Sequence, residues 1–258
     1  MPNVFTARDL KAALKLPFCY ICGDTLNREV STRDHVPPKG CFAQQDRMHN
    51  PVVLPTHSAC NNSFKVADES LGQFLSLLHG KKPKPGASSV RFTTSAIPGR
   101  AVNKNVNLYG AIERWVRAFH AALYQQPMPD STKFAIELPI EVLSADRDGD
   151  PEFIDSGRPE QRALCEKTIE NNRSAGAIDR PVGWNGKLQY ECVWVPTPLH
   201  SYCVFWIDLY GWRRLAKVQQ IGSRECVGFY SLFPSEQPPG ATVQTTLITD
   251  DNPARFLF

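Results

Sequence analysis

Two short-spaced pairs of metal-binding side chains frame the first part of the chain. Cys19-Tyr20-Ile21-Cys22-Gly23 is a CxxC knuckle, in which two thiolates and a following glycine suit a tight turn around one tetrahedral ion. His57-Ser58-Ala59-Cys60 repeats the same spacing further along. Two such pairs separated by a loop have the form of a closed zinc site, so Cys19, Cys22, His57 and Cys60 are the expected zinc ligands. Four protein ligands leave no coordination position for water or substrate, which makes this zinc structural. A lone CxxC can also be a redox dithiol, but the pattern around it is not βαβ and the second pair is then unexplained.

A different set of groups lies between and beside the pairs. Arg33-Asp34-His35-Val36-Pro37-Pro38 puts a carboxylate next to an imidazole, Asn50 follows in Asn50-Pro51-Val52-Val53-Leu54, and Asn61 directly follows Cys60. Together with the downstream Lys65, this arrangement resembles the HNH endonuclease superfamily, whose active site is a ββα-metal fold. It is most similar to the members like recombination endonuclease VII, in which the last motif position is Asn. The resemblance covers roughly the first third of the chain and says nothing of the rest.

The resemblance implies a role for each of these residues. His35 would be the general base that takes a proton from the attacking water, and a neutral imidazole suits that task near its ordinary pKa of about 6.5. Asp34 and Asn61 would supply oxygen ligands to a catalytic divalent metal, and Asn50 would order the loop behind His35. Two oxygen donors favour magnesium or manganese. His57 stands where many relatives carry cysteine, and imidazole is an accepted zinc ligand. The implied reaction is hydrolysis of a nucleic-acid phosphodiester bond, with DNA the expected substrate. The competing reading is a non-catalytic zinc module that binds nucleic acid or protein, which leaves Asp34, His35 and Asn61 unexplained.

Other polar residues near the motif carry less information. Arg33, Lys39, Arg47 and Lys65 could contact phosphate, although single surface charges are commonly generic. Asp68 and Glu69 are read as an exposed acidic helix face, and His49 is left without a role.

The elements that must position these groups follow from apolar periodicity. Thr6 to Leu16 reads as a short helix leading into the first cysteine pair, and Asn61 to about Leu78 as one amphipathic helix. His79 to Gly86, rich in Lys, Pro and Gly, marks a linker. Leu108, Ile112, Trp115, Val116, Phe119 and Leu123 form the apolar stripe of a packing helix within Val102 to Gln126. Pro159 to Asn172 gives a further helix. Lys133 to Leu143, Leu188 to Val195, Tyr202 to Leu209, Val227 to Phe233 and Thr242 to Thr249 read as strands. The expected architecture is α+β: a zinc-stapled ββα-metal module over 1–80, a linker over 81–101 and a larger α+β domain over 102–258. Cys165, Cys192, Cys203 and Cys226 are expected to be packing residues.

Composition sets the bounds. The 258 residues, 42% hydrophobic and 21% charged, are enough for one large or two modest domains. The formal charge of +3 permits a polyanionic partner without demanding one. No apolar run reaches the ~20 residues of a membrane-spanning helix, and the first residues are unlike a signal peptide, so a cytoplasmic protein with no membrane partner is expected. One HNH centre cuts one strand at a time, so double-strand cleavage calls for two copies, and a homodimer is a hypothesis that follows from this.

Overall fold

The computed structural model describes residues 4–5, 12–27, 29, 31–49, 52–78, 92–94, 101–103, 108–137, 159–181, 187–209 and 226–244. The architecture is mixed helix and sheet. Near the N-terminus, β2 (Ser31–His35) pairs antiparallel with β3 (Val53–His57), and helix α1 (Ser58–Ser63) starts as soon as β3 ends. Helix α2 (Lys65–Leu78) follows after a break at Phe64. The single helix expected from Asn61 to Leu78 is therefore two. Its apolar spacing runs through Phe64, but the Phe64 N–H bonds the Asn61 and Asn62 carbonyls and closes α1 there.

A four-stranded antiparallel sheet organises the rest, in the order β6 (Lys133–Glu137), β10 (Cys226–Leu232), β9 (Ser201–Leu209), β8 (Leu188–Pro196). Both of its faces are covered, which is why β9 reads as an apolar run instead of an alternation. Along β9, Cys203, Phe205 and Ile207 join one core with Ile112, Trp115 and Phe119 of helix α3 (Leu108–Tyr124). Tyr202, Val204 and Trp206 join a second core with Cys165 and Ile169 of helix α4 (Pro159–Ser174). Cys165, Cys192, Cys203 and Cys226 are free and buried, as their apolar surroundings predict.

The first core does not stop at the sheet. Leu16, Phe18, Tyr20, Val36, Leu54 and Leu71 of the N-terminal part belong to the same apolar cluster as α3 and the inner sheet face. β1 (Val4–Phe5) also pairs in parallel with β7 (Arg180–Pro181), which joins the start of the chain to the segment ahead of β8. Within the segment expected to be a linker, β4 (Phe92–Thr94) pairs antiparallel with β5 (Ala101–Asn103), and the remainder lies outside the described residues. The expected helix over Thr6–Leu16 is described only at its end, where Ala12 and Ala13 are helical. Of Thr242–Thr249, the described part sits beside β8, with the Gln244 N–H donating to the Trp194 carbonyl at 2.8 Å. Among the described residues no helix is long and apolar enough to cross a membrane.

Candidate functional site

The first cysteine pair sits on a tight hairpin. Phe18 bridges Thr25, the Cys19 N–H donates to the Asp24 carbonyl at 2.8 Å, and the Gly23 N–H donates back to the Cys19 carbonyl at 2.8 Å. Gly23 closes the turn with φ +78°, in the left-handed region where a side chain is strained. The second pair is set by the register of the strands: His57 ends β3 opposite Ser31, and Cys60 lies in the first turn of α1.

These elements bring Cys19, Cys22, His57 and Cys60 together, with all four ligand atoms within 4.8 Å of one another. His57 presents Nδ1, which lies 3.4 Å from Cys22 Sγ and 4.0 Å from Cys60 Sγ. A tetrahedral zinc with Zn–S bonds of about 2.3 Å has edges of about 3.8 Å, so the spacing fits such an ion. The four side chains form a Cys3His cluster that could hold a metal such as zinc.

The thiols differ in their electrostatics. Burial pushes the Cys19 thiol up, but a hydrogen bond with Thr56 Oγ1 at 3.0 Å and backbone N–H groups of Cys22, His57 and Ile21 outweigh it and lower the pKa to about 7. Burial pushes Cys22 up to about 12, with Cys19 adding to the effect. Cys60 is also raised, by burial and then by the Cys19 charge. Crowded thiolates oppose one another's ionisation, and a divalent cation at their centre removes that opposition.

Asp34 and His35 occupy the far end of the same hairpin, opposite Leu54 and Val53, and a cis Val36–Pro37 peptide follows them. The two differ in surroundings. Asp34 is 6% exposed, and its Oδ2 accepts a hydrogen bond from the Tyr20 hydroxyl. Burial and then the Asp34 charge raise the Tyr20 pKa well above its usual value, which keeps the hydroxyl protonated as a donor. His35 is half-buried, and its pKa is lowered, first by burial and then by the Lys39 charge, with Asp34 acting the other way.

An ion pair lies near Tyr20 and Asp34. Arg114 of α3, 3% exposed, donates from Nη2 to Asp68 Oδ1 of α2 at 2.7 Å, and its Cζ lies 4.7 Å from the centre of the Phe64 ring. Burial raises the Asp68 pKa despite Arg114, and the Asp34 charge adds to the rise. Asp68 is therefore not part of an exposed acidic face: its side chain is 21% exposed and points into this network, whereas Glu69 is exposed. Tyr20, Thr56 and Arg114 are the participants that motif spacing missed. The signal available in the sequence was an aromatic hydroxyl between the two cysteines of the knuckle.

Asn61 lies in α1, partly exposed, immediately after Cys60. Asn50 and the side chains of Arg47 and His49 lie outside the described residues. Arg33, Lys39 and Lys65 are exposed. No protein-family model matches the chain, and no curated protein and no solved structure matches it either.

Proposed function

We propose that the chain is a metal-dependent HNH endonuclease that hydrolyses phosphodiester bonds in nucleic acid, with DNA as the expected substrate. The observation that carries the reading is the order strand, strand, helix over Ser31–Ser63, with the Cys3His cluster at one end of the hairpin and Asp34-His35 at the other. In this reading the Cys3His cluster holds a structural zinc, which pins a hairpin and helix too small to bury a core alone.

The donor chemistry at the second position is oxygen throughout. Asp34 contributes a carboxylate and Asn61 an amide carbonyl, a set that suits magnesium or manganese. Such an ion, when bound, polarises the phosphodiester and offsets charge on the departing oxygen. Tyr20 donates to Oδ2 of Asp34 and so holds the carboxylate that would bind the ion. His35 receives the proton of the attacking water, and its lowered pKa keeps it neutral for that purpose at cellular pH. Arg33, Lys39 and Lys65 face solvent where they can meet phosphates.

One observation favours a second reading. Asp34 is nearly buried and tied to Tyr20, as a purely structural carboxylate would be, which suits a zinc module that binds nucleic acid or protein without cutting it. The test is nicking of supercoiled plasmid by His35→Ala beside the wild type, with zinc measured on both. The nuclease reading expects a loss of at least about a hundredfold in rate at unchanged zinc, in the range of general-base catalysis. Nicking that survives the substitution removes His35 from the mechanism.

A further inference from the structure

We propose that Arg114 of helix α3 is a positioning residue for the metal-binding oxygens, fixing the spacing between Asn61 on α1 and Asp34 on β2. The inference rests on the nuclease reading above and adds a residue from outside the motif. Its ground is the place of one guanidinium at a junction. Arg114 lies over the Phe64 ring, and the Phe64 N–H caps the Asn61 carbonyl at 3.2 Å, so the stack bears on the end of the helix that carries Asn61. From the same side chain, Nη2 grips Asp68 at 2.7 Å, which fixes the start of α2. Tyr20, which donates to Asp34, shares one apolar cluster with Leu71 and Trp115 of the helices that carry Asp68 and Arg114, and the charges of both reach its hydroxyl.

The guanidinium is more than an apolar filler. It is buried, and among the described residues its Nε and Nη1 have no hydrogen-bond partner. Retaining a desolvated, incompletely bonded arginine is costly, and a planar cation that both stacks and donates cannot be replaced by lysine. Asp68 neutralises its charge, so it does not set a bare cation beside a cation site. Groups of this kind, one step behind the ligands, commonly change metal affinity by 10–100-fold when altered.

The sign of the effect separates positioning from plain electrostatics. If Arg114 acts only as a positive charge, its removal strengthens the binding of a divalent cation to Asp34. If it positions the ligands, removal weakens it. The experiment is a titration of the full-length, zinc-loaded protein with Mn2+, following free Mn2+ by electron paramagnetic resonance, for wild type, Arg114→Met, Arg114→Lys, Phe64→Leu and Asp34→Asn. We expect one Mn2+ beyond the zinc in wild type, lost in Asp34→Asn. Affinity should fall about tenfold or more in Arg114→Met and less in Arg114→Lys and Phe64→Leu, with zinc content unchanged. Unchanged or tighter Mn2+ binding in Arg114→Met overturns the inference. Should that variant lose its zinc, wild-type affinity in both Arg114→Lys and Phe64→Leu overturns it instead. A wild type that binds no Mn2+ overturns the nuclease reading and this inference together, whereas wild-type binding that the variants retain overturns this inference alone.

Discussion

His35 and Asp34 are neighbours in sequence but do different work, because successive residues on a strand face opposite sides. Asp34 turns to Tyr20 and the buried ion pair, and His35 stays half-exposed. Burial and the Lys39 charge both disfavour the protonated imidazole, so the His35 pKa lies below its ordinary 6.5. A base must be neutral to accept a proton, so the nicking rate should fall as pH drops through the His35 pKa, with the acid limb centred below about 6.5. A cation held on Asp34 would move the limb the same way. Lys39→Met should shift it back up, toward 6.5, in a pH–rate profile. A limb centred above 6.5, or one that ignores Lys39, contradicts this account of His35.

Most of this scale was legible in the sequence. The four residues of the Cys3His cluster declare themselves by residue type and by two matching spacings, and the strand register brings them together. Arg114 did not declare itself, since its partner Asp68 is distant along the chain and each looks like one charge on an amphipathic helix. Only the packing of α2 against α3 shows that these two polar positions face each other.

At the scale of elements, the exposed Lys39 belongs to a 3-10 turn, Lys39–Cys41, that packs tightly against α2. The approach is closest at Gly72, where an added Cβ would lie 3.2 Å from the Gly40 backbone. A mid-helix glycine replaced by alanine ordinarily gains about 1 kcal/mol from helix propensity, whereas overpacking costs about 1–3 kcal/mol. Contact with backbone leaves little room to yield, so the clash should win. Gly72→Ala should lower the unfolding free energy by up to about 2 kcal/mol in a denaturant titration. A net stabilisation would mean that the turn moves aside freely. Strand positions in the sheet were legible because β-branched and aromatic runs mark them. The break at Phe64 was not, because the apolar spacing continues across it and the cap is made by backbone groups.

At the scale of the molecule, the part that carries the Cys3His cluster and the sheet share one apolar core, and α3 supplies both the packing stripe of that core and the arginine paired with Asp68. Sequence periodicity distinguishes helix from strand but not which faces meet, so the α+β character was readable while this shared core was not. The arrangement ties the geometry of the small motif to the folding of the larger sheet.

The central claim is that this assembly hydrolyses nucleic acid and does more than bind it. The most direct measurement follows the cleavage of supercoiled plasmid, single-stranded DNA and RNA by wild-type protein with magnesium, manganese or EDTA, with zinc quantified on the same preparation. An HNH nuclease of this kind should hold about one zinc per chain tightly and cleave only with added magnesium or manganese. Stoichiometric zinc with no cleavage of any of the three substrates under either ion would contradict it and leave the binding module as the reading.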